Sequence, residues 1–168
     1  MTENKLKEEF LDLINQNKGI IYRISRSYGE TDSDCEDLFQ EILLNLWKGY
    51  SSFRNESKFS TWLYRVALNT CITAIRKRSR TLNVVSMQEK YNQIADDPVS
   101  ADHYDEIHLL YNAIGKLDKL EKAIIILYLE EKNYEEIGEI AGITANHAGV
   151  RITRIKDKLR QYLNNEKL

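Results

Sequence analysis

Residues 133–163 read NYEEIGEIAGITANHAGVRITRIKDKLRQYL, and the reading of this stretch decides the architecture. Tyr134 to Ala141 has helical spacing and stops at Gly142; Ile143 falls in the turn, and Thr144 offers a hydroxyl to cap a longer helix from Ala145 to about Leu163. Ile137, Ile140, Ala148, Ile152, Ile155 and Leu159 form one apolar stripe, which leaves Asn146, His147, Gly149, Arg151 and Arg154 on the outward side. A short helix, a glycine turn and a second helix make helix-turn-helix spacing, in which the second helix enters the DNA major groove. Asn146, His147 and Arg151 are then candidates for base readout, and Arg154, Lys156 and Lys158 for phosphate. Helical hairpins of this length also occur in bundles that never touch DNA, so spacing alone leaves both readings open.

Upstream, Ile107, Leu110, Ile114 and Leu117 recur at helical intervals, and Leu120 to Leu129 is a second apolar segment. Its core AIIILYL is ambiguous, because three consecutive isoleucines favour a strand. The flanking KLEK and EEK favour a helix, so a buried helix is expected. With the two helices of residues 133–163 this makes a four-helix unit over 106–168.

The other informative stretch, SSFRNESKFSTWLYRVALNTCITAIRKRSR at 51–80, interleaves aromatic and basic residues. Ser60 can cap a helix from Thr61 to about Ser79, with Leu63, Ala67, Cys71 and Ala74 inward and Val66 and Thr70 beside them. Arg65, Asn69, Thr73, Arg76 and Arg80 then line the outward face. Arginine, amide and hydroxyl in line can grip phosphate and reach base edges, and Lys77 and Arg78 add to the basic end. Phe53, Phe59, Trp62 and Tyr64 beside these cations suit an unstacked single strand. Core packing is the competing reading for each ring, strongest for Phe59 and Trp62, and a solvated helix end is the competing reading for RKRSR.

Before it, DCEDLFQEILLNLWKGY opens on the capping acid Asp34 and stops at Gly49. Leu38, Ile42 and Leu46, flanked by Phe39, Leu43 and Trp47, face inward. The opposite face carries Asp37, Gln40, Glu41 and Leu44, and an apolar contact ringed by polar groups suits a protein partner. A solvated face with one ordinary exposed leucine is the alternative. Phe10, Ile14, Ile21, Ile24 and Tyr28 make 6–28 a helix, or a pair broken near Gly19. These elements group as a first small domain over 1–80.

Residues 81–105 lose periodicity and hold the chain's single proline, Pro98, so they read as a flexible linker. The whole is expected to be all-α: two small helical domains joined by that linker. A net charge of −2 hides strong segregation, since 28–41 has six acids and no base, whereas 54–80 has seven bases against Glu56. Residues 147–160 carry five bases against Asp157, so two phosphate-facing surfaces are expected. Neither an apolar run of about eighteen residues nor a secretory leader is visible, which predicts a cytoplasmic protein without membrane insertion. Cys35 and Cys71 lack ligand spacing and read as small apolar residues, so no metal and no cofactor is expected.

Both informative stretches resemble one family, the bacterial RNA polymerase sigma factors of the sigma-70 family, in the short extracytoplasmic-function (ECF) group. DCEDLFQEILLNLWKGYSSF followed by FSTWLYRVALNTCITAIRKR is similar to its second conserved region. LDKLEKAIIILYLEEKNYEEIGEIAGITANHAGVRITRIKDKL is similar to its fourth, and about three quarters of the chain is covered. The resemblance implies that the helix with Asp37, Gln40, Glu41 and Leu44 docks on core RNA polymerase. It implies that Phe59, Trp62, Arg65, Asn69 and Thr73, with Arg76, Lys77 and Arg78, open and read the minus-ten element of promoter DNA. Thr144, Asn146, His147, Arg151, Arg154 and Lys158 would read the minus-thirty-five element as duplex. An anti-sigma factor is a further implied partner. Two departures stand out: Leu117-Asp118-Lys119 where the family often has proline, and Gly138 where it usually has alanine. Both are expected to loosen a helix boundary, glycine costing roughly 1 kcal/mol relative to alanine.

A one-component helix-turn-helix repressor is the alternative, but it would need a dimer seam and a sensor pocket, and would leave TWLYRVALN without a task. Catalysis is not expected, because His103, His108 and His147 have no nearby nucleophile or ligand set and no phosphate-cradling glycine loop is present.

Overall fold

The computed structural model describes residues 3–82 and 101–166, with side chains over 3–80 and 106–165. Among the described residues the chain forms seven α-helices and no strand: α1 (Glu3–Tyr28), α2 (Asp32–Tyr50), α3 (Phe59–Leu82), α4 (Ala101–Gly115), α5 (Lys119–Leu129), α6 (Tyr134–Ala141) and α7 (Ala145–Glu166). Helices α1 to α3 pack on one another, as do α4 to α7, in two compact units whose boundary falls between Gln93 and Ile94. The protein is thus all-α with two helical domains. The expected linker, 81–105, is helical at both ends, since α3 runs to Leu82 and α4 starts at Ala101. Residues 83–100, with Pro98, lie outside the described residues.

In the first unit α1 is one continuous helix through Gly19, and it buries Phe10, Ile14, Ile21, Ile24 and Tyr28 as their spacing predicts. The start of α2 differs from the sequence expectation. Thr31, not Asp34, is the cap: its hydroxyl accepts from the Asp34 N–H at 3.1 Å, which leaves Asp34 inside the first turn with its carboxylate available to another element. Helix α3 begins two residues before the expected Thr61, because the Trp62 N–H already donates to the Lys58 carbonyl at 3.2 Å. Leu38, Ile42 and Leu46 from α2 meet Leu63, Ala67 and Cys71 from α3 in the core. Each fully buried leucine or isoleucine there contributes about 1.5–3 kcal/mol of transfer free energy.

The second unit resolves the isoleucine run. Ala123 to Leu127 are all buried in one helix, because α4, α6 and α7 pack around α5 and leave it little outer face. A capping box opens that helix: Asp118 accepts from the Leu120 and Glu121 N–H groups, and Glu121 reaches back to the Asp118 N–H. Asp118 therefore defines the boundary that the missing proline was expected to loosen. Gly138 corrects the second such expectation. A Cβ there would lie 2.6 Å from the Ile143 carbonyl, so glycine lets the turn close on α6 rather than fraying it. Gly142 ends α6 in the left-handed region at φ 73°, as a glycine C-cap should. On α4, Ala113 and Ile114 are buried but Ile107 is exposed, and Leu117 enters the core from the turn after the helix.

Candidate nucleic-acid interface

On α7, burial of Ala148, Ile152, Ile155 and Leu159 turns the opposite face outward. Asn146, His147 and Arg154 are exposed and Arg151 is half-buried, all as the spacing predicts. Thr144 is exposed and its hydroxyl accepts from the His147 N–H at 3.2 Å, so it caps the helix that presents the readout candidates. The two lysines are differently placed. Lys156 donates to the Tyr128 hydroxyl at 2.7 Å, and Lys158 is ion-paired with Glu121, the residue that closes the α5 capping box. This hydrogen bond to Glu121 pushes the Lys158 pKa up. Two of the bases of α7 are therefore engaged with α5.

Beside the start of α7, the exposed Tyr134 ring lies against Gly149, where a Cβ would come within 3.2 Å of it. Asn133, Tyr134, Glu135, Ala145 and Asn146 line an open recess of about 410 Å³ there. Sequence reading treated Tyr134 only as a helix start. Its apolar ring on a solvent face became visible once α6 was placed against α7.

In the first unit Arg65, Asn69, Thr73, Arg76 and Arg80 are exposed on α3, as the helical net predicts, and Lys77 of the basic end is exposed too. Arg78 departs from that set. Its guanidinium donates to the Asp34 carboxylate on α2 at 2.6 Å, bridging the basic end of α3 to the acidic start of α2. Tyr64 is corrected outright: at 1% exposure it belongs to the core and presents no stacking surface. Phe53, Phe59 and Trp62 are half-buried in a mutual cluster with centroid separations of 5.0 to 5.8 Å. Tyr50 and Phe10 continue that cluster back to Trp47 on α2. The rings of Phe59 and Trp62 thus serve packing and partial exposure together, and the two competing readings are not exclusive.

On α2, Asp37 and Gln40 are exposed, Glu41 is half-buried, and Leu44 is 51% exposed. Trp47, expected beside the buried stripe, is 37% exposed one turn beyond Leu44 and widens the apolar part of this face. Cys35 and Cys71 are buried, and burial pushes the Cys35 thiol pKa up, away from a reactive thiolate. Among the described residues no cluster of histidine, cysteine and carboxylate could hold a metal ion, and no helix is long and apolar enough to cross a membrane.

These features define a two-domain helical protein with a helix-turn-helix in its second domain and a base-bearing helix in each. Residues 13–81 match the Sigma-70 region 2 family and residues 107–159 match Sigma-70, region 4. The ECF RNA polymerase sigma factor SigW of Bacillus subtilis is 32% identical over 168 residues, covering 94% of this chain and 90% of that protein. SigE of Mycolicibacterium smegmatis, also an ECF RNA polymerase sigma factor, is 27% identical over 157 residues; the alignment covers 90% of this chain but 60% of that longer relative. The fold is shared with the sigma factor RpoE crystallised with the anti-sigma factor NepR from Bartonella quintana, at a TM-score of 0.79 and 21% identity over 94% of this chain and 98% of that one. It is shared also with CnrH in complex with the cytosolic domain of CnrY, at a TM-score of 0.67 and 20% identity over 95% and 90%. The chain belongs to the ECF sigma factors of the sigma-70 family, whose members direct RNA polymerase to promoters and have no catalysis of their own.

Proposed function

We propose that this chain binds core RNA polymerase in the cytoplasm and, through two separate DNA-facing helices, directs it to promoters carrying a minus-ten and a minus-thirty-five element. The observation that carries this reading is the pairing, in one chain, of two helices whose buried stripes turn amide and guanidinium groups outward. Residues 1–80 form the polymerase-binding and minus-ten domain, 106–168 form the minus-thirty-five domain, and 81–105 connect them. Asp37, Gln40, Glu41 and Leu44 dock on polymerase, with Leu44 as the apolar anchor. Arg65, Asn69, Thr73, Arg76 and Lys77, with the exposed edges of Phe59 and Trp62, receive the opened minus-ten strand. Asn146, His147 and Arg151 reach base edges of the duplex, while Thr144 and Arg154 address its backbone. Arg78 and Lys158 join the phosphate contacts only by leaving Asp34 and Glu121, so they contribute less than their charge implies.

The mechanism is positioning. Polymerase supplies catalysis, and this chain supplies two reading surfaces whose separation is set on the polymerase scaffold. Without that scaffold, ordering two units on one DNA costs entropy that the contacts do not recover, so the free protein binds promoters weakly. The fold shared with a sigma factor held by an anti-sigma factor supports an inhibitory protein partner of the same kind for this chain.

The test is in vitro transcription from a promoter pool with purified core polymerase, with and without the protein, followed by Asn69→Ala. Specific start sites are expected only when the protein is added. Asn69→Ala is expected to lower open-complex formation at least about tenfold, the loss of one good base contact, at unchanged polymerase affinity. Unchanged opening would remove Asn69 from the reading face, and no specific start sites at all would remove the function.

A further inference from the structure

The two working faces of the first domain lie on different helices, and a part-buried polar contact joins those helices next to both faces. On α2, Asn45 follows the proposed anchor Leu44; on α3, Thr70 follows the proposed reader Asn69. The Asn45 side-chain amide donates to the Thr70 hydroxyl at 3.0 Å. That hydroxyl in turn donates to the Val66 carbonyl, one turn back, at 2.8 Å. A hydroxyl has a single proton, and Val66 takes it, so Asn45 must present its NH₂ and the amide orientation is determined by the network. Thr70 is 6% exposed, and the buried residues nearest it along α3 are Ala67, Leu68 and Cys71.

We infer that Asn45 and Thr70 are positioning residues, whose hydrogen bond sets the register of α3 against the polymerase-docked α2 and so places Asn69 over the minus-ten strand. Apolar side chains in such a seam accept several registers at similar energy, because dispersion and transfer terms are not directional. The amide-to-hydroxyl contact is made in one register only, and a slip takes from the Asn45 amide its Thr70 partner in a part-buried seam. Asp37, Gln40 and Leu44 lie on the exposed side of α2, so losing the bond leaves them in place. It lets the middle of α3 shift while the Arg78 to Asp34 ion pair still holds its basic end, and the outward row around Asn69 shifts with it. The inference rests on the proposed function, and it goes beyond it by naming residues that touch neither polymerase nor DNA.

The experiment compares full-length Thr70→Val, Thr70→Ser, Asn45→Ala and the double variant Asn45→Ala/Thr70→Val with wild type. Affinity for core polymerase and the extent of promoter opening by the holoenzyme are measured for each. Thr70→Val and Asn45→Ala are expected to keep polymerase affinity within about twofold while opening falls about tenfold, and the double variant should be no worse than either single one. Thr70→Ser, which retains the hydroxyl, should open promoters as wild type does. The inference is overturned if the single variants open promoters normally, if opening and polymerase affinity fall in parallel, or if the two losses simply add. Thr70→Ser and Asn45→Ala, which add no bulk to the seam, keep the comparison available should Thr70→Val fold poorly. A wild-type protein that opened no promoter would instead overturn the function itself.

Discussion

The second domain delimits its outward basic helix by local signals, whereas the described ties of the basic helix in the first run to other elements. Around α7, the Asn133 capping box, the Gly142 turn and the Thr144 cap fix where each helix starts and stops within a dozen residues. Around α3 the described contacts are of another kind. The aromatic cluster, the Asn45 to Thr70 bond and the Arg78 to Asp34 ion pair all join it to other elements. In both domains one cation of the basic helix is held by an acid from a neighbouring helix. A basic helix thus uses part of its charge to brace the fold, and only packing shows which part.

The largest effect expected is on the polymerase-facing side of the first domain. Leu44→Asp should weaken core polymerase binding by at least about 2 kcal/mol, about thirtyfold, while the thermal transition of the free protein is retained. A pull-down at wild-type affinity would remove that face and leave both domains as DNA readers only. In the second domain, Arg151→Ala should cost about 1–2 kcal/mol and relax base preference in the upstream element, as seen by binding of holoenzyme to single-base promoter variants. A uniform loss across all variants would move Arg151 to the phosphate-directed residues.

The smallest effect sharpens the division most. Arg154→Gln should flatten the salt dependence of holoenzyme–promoter binding by about one phosphate contact. Lys158→Gln, whose ammonium already serves Glu121, should change it by less than about half of that. Equal slopes for the two variants would mean that Glu121 yields Lys158 to DNA, and that the ion pair does not divide the charges as described.

The helix-turn-helix was legible almost to the residue, because glycine, asparagine and threonine act on backbone within one or two turns of themselves. The outward rows Arg65, Asn69, Thr73 and Asn146, Arg151, Arg154 were legible for the same reason, since helical periodicity is a local property. Thr31 was missed as a cap because Asp34, three residues later, carries an equally good capping group, and only the path of the chain after α1 decides between them. Tyr64 and Trp47 exchanged expected places, Tyr64 into the core and Trp47 toward solvent, because an aromatic at the edge of a stripe goes where the neighbouring helices leave room. Local pattern sufficed for the helical class, for the two units and for which side of each basic helix faces outward. Packing alone decided which cations pair with another helix and that Asn45 meets Thr70, because those contacts join residues 25 to 44 positions apart, which no local pattern encodes.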